Sequence, residues 1–304
     1  MRRLTFVLSL VLGFTMLGAP ARAAVKPLPV PYNFIPGALL GGLPDSNAPG
    51  TNDWSCRPSA AHPRPVVLVH GTGGNRSTNW QTYGPLLKNN GYCVFAFTYG
   101  ALPAPYPVSA LGGFGDMRAS AAVMKTFVGK VLASTGASKV DLIGHSQGTL
   151  MPNYWVKYLG GASKVGTYIS LASLWHGTLL GTPVTALAGL FGIAPDKVPV
   201  CTACAQFAPG TGFMKQIRAG GVAAPGVRYV NIVTRYDELV LPYTSGIEPG
   251  MTNIVLQDHC KLDFADHLEI AADRNASIFV LNALDPAHPR PLTCSPVLPV
   301  IGGF

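Results

Sequence analysis

The chemistry-bearing residues of this chain of 304 residues gather around Gly144-His145-Ser146-Gln147-Gly148. In a G-x-S-x-G the two glycines let the backbone turn sharply from strand to helix, so the serine oxygen projects from the chain. A serine hydroxyl is a weak nucleophile near neutral pH. It needs a base within hydrogen-bond reach and a carboxylate that orients the base. In a site of this strand–turn–helix type the order along the chain is Ser, then acid, then His. Asp237, in Thr234-Arg-Tyr-Asp-Glu-Leu-Val240, is the candidate acid, and its neighbour Glu238 is the alternative. The histidines beyond Ser146 are His176, His259, His267 and His288, of which His176 precedes the acid. His267 opens an apolar helical stretch and is the candidate base. His259, beside Cys260, is the second choice, and His288 lies among prolines near the end.

Acyl transfer through such a serine also requires donors aimed at the developing oxyanion. One is the backbone N–H that follows the nucleophile, here that of Gln147. The second is expected from the Gly-rich turn His70-Gly-Thr-Gly-Gly-Asn75, where Thr72 offers an N–H and a hydroxyl. A phosphate loop would carry Lys-Ser/Thr after its glycines, and this turn does not.

These residues must be held at strand ends. Apolar, β-branched or aromatic runs predict strands at 64–70, 93–99, 139–144, 164–172 and 227–234, and helical patterns fall at 83–89, 116–133 and 147–159. Continuous apolar strands alternating with helices imply a parallel sheet covered on both faces, with function at the carboxyl ends of the strands. Two segments interrupt the alternation. The Pro- and Gly-rich stretch 100–115 follows the second strand, and 179–225 follows the fourth and is too apolar for a solvated loop. Segments of this length often serve as lids or binding loops. The second is expected to form a cap or wall of an acyl-binding site, with Leu190 and Phe191 touching substrate; packing as an extension of the core is the alternative.

The beginning of the chain reads as an export signal. Arg2 and Arg3 precede an uncharged apolar run that ends near Leu17, and Ala21-Arg22-Ala23 presents small residues where a signal peptidase cuts. The run is shorter than the roughly 20 residues of a membrane span. Residues 1–23 are therefore expected to be removed and 24–304 to form one α/β catalytic domain. Loss of three arginines lowers the formal charge from +8 to +5. No basic run marks a nucleic-acid surface. Six cysteines in an exported chain suggest three disulfides. The expected pairs are Cys56–Cys93, Cys201–Cys204 and Cys260–Cys294; the first and third would contribute roughly 3 to 4 kcal/mol each by chain entropy. The CxxC lacks a second ligand pair, so a zinc site is not expected.

The run Val69-His-Gly-Thr-Gly-Gly74, the elbow with its continuation to Trp155, Leu174-Trp-His-Gly-Thr178 and Tyr236-Asp-Glu-Leu-Val-Leu-Pro242 together resemble the secreted bacterial lipases of the class 2 family. More distantly they resemble the fungal lipase B type. The resemblance runs from about Cys56 to Cys294. It implies the α/β-hydrolase fold with a cap-like insertion, and hydrolysis of lipid esters without cofactor or metal by Ser146, Asp237 and His267. Trp175 is expected at the substrate and a monomer in solution, with transient contact at a lipid interface. Thr149 stands where many members carry a further glycine. An acyltransferase, a polyester or cutin hydrolase and a noncatalytic lipid-binding protein are the other readings.

Overall fold

The structure is a computed structural model that describes residues 26–40, 46–180 and 201–303. The expected export signal lies outside these residues. Six strands, β1 Val66–Val69, β2 Val94–Phe97, β3 Val140–His145, β4 Val165–Leu171, β5 Arg228–Val233 and β6 Thr252–Val255, form one sheet in the order β2-β1-β3-β4-β5-β6. Every neighbouring pair is parallel. The five sequence-predicted strands are present. The sixth, β6, is a four-residue edge strand, exposed or half-buried throughout, and it offers no apolar run from which to be read.

Alternation along β1 shows why both faces must be covered. Val67 and Val69 pack in one core cluster, with Phe95, Leu142 and the long helix Met117–Thr135 through Met117, Met124 and Val131. Val66 and Leu68 point into the other, with Ile143, Ile169, Ile232 and the helix Arg274–Leu284 through Ala276 and Val280. A period of two in the strand places successive side chains on opposite faces, and all four are fully buried. The helix Met117–Thr135 is capped by Asp116, whose carboxylate accepts the N–H groups of Arg118 and Ala119, and stops at Gly136, whose φ of 73° suits glycine.

One buried charge interrupts the apolar strands. Asp141 in β3 is buried, and burial raises its carboxyl above the ordinary value. Arg64 Nε at 2.8 Å and the Thr167 N–H at 2.7 Å partly offset that penalty, so the ion pair ties the entry of β1 to β3 and β4.

All three expected disulfides are present, Cys56–Cys93, Cys201–Cys204 and Cys260–Cys294. The first ties the segment before β1 to the start of β2. The third anchors the C-terminal segment near the site described next.

Candidate active site

Ser146 sits between β3 and the helix Gln147–Tyr158, with φ 54° and ψ −126°. A non-glycine residue with positive φ is strained, and it persists only where its surroundings enforce it. Here they do. A Cβ on Gly144 would fall 2.0 Å from the Gly148 carbonyl oxygen, and one on Gly148 would fall 2.0 Å from the Val69 carbonyl oxygen in β1. The two glycines of the motif therefore let helix, elbow and neighbouring strand approach backbone to backbone. The Ser146 N–H is taken by the Leu171 carbonyl at 2.9 Å, which locks the turn to β4.

Asp237 follows β5 and His267 follows β6. His267 Nε2 lies 2.8 Å from Ser146 Oγ, and its Nδ1 lies 2.9 and 3.0 Å from the two carboxylate oxygens of Asp237. Asp237 is buried and also accepts the N–H groups of Leu239 (3.0 Å) and Val240 (2.7 Å) through Oδ1. The structure thus brings together the three residues that chain order singled out. Glu238, the alternative acid, accepts the backbone N–H of His267 at 3.0 Å instead. His259 stacks obliquely on Phe279 and His288 pairs with Asp285, both away from Ser146. His176 pairs with Glu248 at 2.9 Å.

The ring of His145, inside the elbow motif, is buried and donates from Nε2 to the His267 carbonyl at 2.8 Å. Burial first, and the neighbouring His267 second, push its pKa down to about 3, so it remains neutral. His70 is likewise neutral: burial lowers it to about 4, and it stacks on Tyr99 at 4.2 Å. The Tyr99 hydroxyl donates to the His70 carbonyl at 2.6 Å, fixing the chain just before the Gly-rich turn. No spacing in the sequence points to these supports.

Thr72 stands across from the elbow. Neither its N–H nor that of Gln147 has a hydrogen-bond partner among the described residues, so both are free to meet a ligand. The turn is clamped by reciprocal bonds, the Gly73 N–H to the Gly112 carbonyl and the Gly112 N–H to the Gly74 carbonyl, each 2.8 Å. The stretch 100–115, read from sequence as a lid or binding loop, thus braces the Gly-rich turn that carries Thr72. Gly113, with φ 79°, approaches so closely that a Cβ there would lie 3.0 Å from Thr72 Cα.

A cavity of about 140 Å³, mostly apolar, opens at Ser146. Leu174, Leu180, Phe207, Leu239 and Val240 line it with Thr72 and His267. Trp175 does not reach it, contrary to expectation. Its side chain is fully buried and its Nε1–H donates to Asn231 Oδ1 at 2.9 Å, in the core against β5; the adjacent Leu174 lines the cavity in its place. Leu190 and Phe191 lie outside the described residues. The described part of 179–225 divides: Leu180 and Phe207 face the cavity, while Phe213, Met214 and Ile217 are buried in the core.

A family model described as lipase (class 2) matches residues 63–279, which include every residue just placed around Ser146. The chain belongs to the class 2 lipase family. Within this class 2 lipase, stretches of 100 residues, 31% of the chain, are 35% identical to proteins named triacylglycerol lipase from Pseudarthrobacter phenanthrenivorans and Burkholderia plantarii. Those stretches span 28% and 25% of the two relatives, so the likeness covers about a quarter of their length. Among solved structures, Aspergillus fumigatus lipase B superposes with a TM-score of 0.61 at 21% identity, over 81% of this chain and 57% of that one. Mature Bacillus licheniformis lipase BlEst2 superposes with a TM-score of 0.53 at 18% identity, over 74% and 92%. At these identities the likeness shows the fold, the α/β-hydrolase fold expected from the sequence.

Proposed function

We propose that this class 2 lipase is an exported carboxylic ester hydrolase that acts on lipid esters, with triacylglycerol as its principal substrate class, through an acyl-enzyme on Ser146. The observation that carries the reading is the hydrogen-bonded line from Ser146 Oγ through His267 to buried Asp237, ending at an apolar cavity. Asp237 accepts the Nδ1–H of neutral His267, which leaves Nε2 with its lone pair towards the serine. Ser146 gives its proton to Nε2 as Oγ attacks the ester carbonyl. The backbone N–H groups of Gln147 and Thr72 stabilise the oxyanion. His267 then protonates the departing alcohol, and water repeats the sequence to release the acid.

The apolar lining at Leu174, Leu180, Phe207 and Val240 suits an acyl chain. Each methylene buried there contributes up to about 0.8 kcal/mol. Three disulfides suit an oxidising compartment, which agrees with the export signal read at residues 1–23.

Hydrolysis of p-nitrophenyl esters of increasing chain length, beside an emulsified triacylglycerol, tests the proposal. Turnover that rises from acetate to longer chains and includes the emulsion is expected. Turnover of acetate alone would restrict the protein to small esters, and preferential transfer to an added alcohol would make it an acyltransferase.

A further inference from the structure

The short helix Phe34–Leu40 carries an apolar stripe, since Phe34, Ile35, Ala38 and Leu39 fall on one face at helical spacing. Gly37, on another face, is buried, and a Cβ there would lie 3.2 Å from Gln81 Cβ, so the helix rests on that side against the chain near Gln81. The stripe borders a groove of about 310 Å³, completed by the turn 72–74 with Thr78 and Asn79. Ile35 is 37% exposed and Leu39 79%. Scattered apolar groups at a surface need no explanation, whereas contiguous ones that line a concavity mark a binding site. The helix is also fixed in place. The Phe34 N–H donates to Glu269 Oε2 at 2.9 Å, two residues beyond His267, and the Gly303 N–H donates to the Tyr32 carbonyl at 2.9 Å.

The groove meets the catalytic cavity, because Thr72 lines both. The apolar residues assigned above to the acyl chain, Leu174, Leu180, Phe207 and Val240, border the cavity and not the groove. At the groove, the Phe34 ring lies 6.1 Å from that of His145, which lies 5.1 Å from that of His267. An ester has two halves. With the acyl half in the cavity, the alcohol half must leave Ser146 on a side where His267 can protonate its oxygen, and the groove is the apolar space on that side.

We propose that this groove holds the alcohol half of the ester, with its chain against Ile35, Ala38 and Leu39, and so selects esters of long apolar alcohols, including the diacylglycerol half of a triacylglycerol. The proposal rests on the ester hydrolase reading above. It gives the exposed stripe an occupant whose apolar surface leaves water on binding, and a wall already fixed through Glu269 and Gly303 needs little further ordering.

Two series of soluble esters, each kept below the concentration at which it aggregates, test the proposal. Butanoates of methanol, butanol and hexanol vary the alcohol; methyl esters of butanoic, hexanoic and octanoic acid vary the acyl chain. Wild-type kcat/KM is expected to rise along both. In Ile35→Ser with Leu39→Ser, the hexyl-to-methyl ratio is expected to fall roughly tenfold, the loss of apolar contact over about two methylenes, while the octanoate-to-butanoate ratio stays within about twofold. Melting temperatures are measured alongside. If the double variant does not fold, Leu39→Ser alone, at the more exposed position, decides by the same ratio with a fall of roughly threefold.

A flat alcohol series in the wild type, or a hexyl-to-methyl ratio unchanged in the folded variant, would overturn the proposal. So would equal falls in both ratios, which would mean a general disturbance of the site. A loss confined to emulsified triacylglycerol, with both soluble ratios unchanged, would make the stripe a contact with the lipid surface instead. Failure of the wild-type protein to hydrolyse any ester strikes the ester hydrolase reading, whereas these other failures, with wild-type turnover intact, strike only the groove.

Discussion

Asp237→Asn replaces a carboxylate by its neutral isostere and should nearly silence the enzyme through a tautomer. In the structure Oδ1 accepts from Leu239 and Val240 N–H as well as from His267 Nδ1, and Oδ2 lies 3.0 Å from the same Nδ1. An asparagine has one oxygen to offer, and the two backbone donors hold it at the Oδ1 position. Its NH₂ then occupies the Oδ2 position and faces His267. Two donors cannot share that gap, so the imidazole must present an unprotonated Nδ1 and carry its proton on Nε2. That proton points at Ser146 Oγ, 2.8 Å away, where the reaction needs a lone pair. Loss of the base in this way is expected to lower kcat by about 10⁴-fold, the magnitude found when an asparagine inverts the tautomer of another serine hydrolase triad. At about 1.36 kcal/mol per tenfold this is roughly 5.4 kcal/mol of transition-state stabilisation. The assay is kcat on a p-nitrophenyl ester, with the melting temperature measured alongside. A folded Asp237→Asn protein within tenfold of wild type would refute the assignment of Asp237 and the hydrogen-bond reasoning behind it.

Three further outcomes are expected. Glu269 is buried, with Oε1 unpaired; burial first, then nearby Asp266 and Asp263, raise its carboxyl from 4.5 to about 8. The folded protein thus keeps a proton that the unfolded chain releases above pH 4.5, so its stability contribution is present below that pH and is lost as pH rises towards 8. Glu269→Gln should therefore gain on wild type in denaturant unfolding at pH 9 but not at pH 4, by a few kcal/mol against a ceiling of about 1.36 kcal/mol per pH unit; equal curves at both pH values would contradict the raised pKa. His145→Phe, which deletes the Nε2–H donated to the His267 carbonyl, should lower kcat by up to about tenfold, from a hydrogen bond worth on the order of 1 kcal/mol, and an unchanged kcat would show that the His267 backbone is held without it. Leu180→Ser with Phe207→Ser should reduce turnover of octanoate far more than acetate, since both line the cavity; a uniform loss would place the acyl chain elsewhere.

The chemistry was more legible than its supports. Ser146, Asp237 and His267 could be chosen from sequence because the elbow fixes its glycines by backbone contact and chain order then restricts the acid and the base. Five strands were visible because they are buried on both faces and read as apolar runs. Strand β6 was not, because a short, partly exposed edge strand such as Thr252-Asn-Ile-Val255 carries no such run. Trp175 was misread for a related reason: an aromatic residue next to a cavity-lining leucine gives no sign in sequence of whether it faces ligand or core, and the bond from its indole to Asn231 is a contact 56 residues away. His145, His70 and Tyr99 were silent because a neutral buried histidine is recognised only by what surrounds it. The acyl-site expectation for Leu190 and Phe191 falls on residues outside those described.

The proposed hydrolysis depends on activation of Ser146 as nucleophile by His267. Its most direct test is stoichiometric inactivation by a fluorophosphonate, with the modified residue located by peptide mass spectrometry. One label per chain is expected, on the peptide carrying Ser146, with ester hydrolysis lost in proportion to labelling, and no label in folded Ser146→Ala or His267→Ala. Labelling at another residue, or hydrolysis that survives complete modification of Ser146, would contradict it.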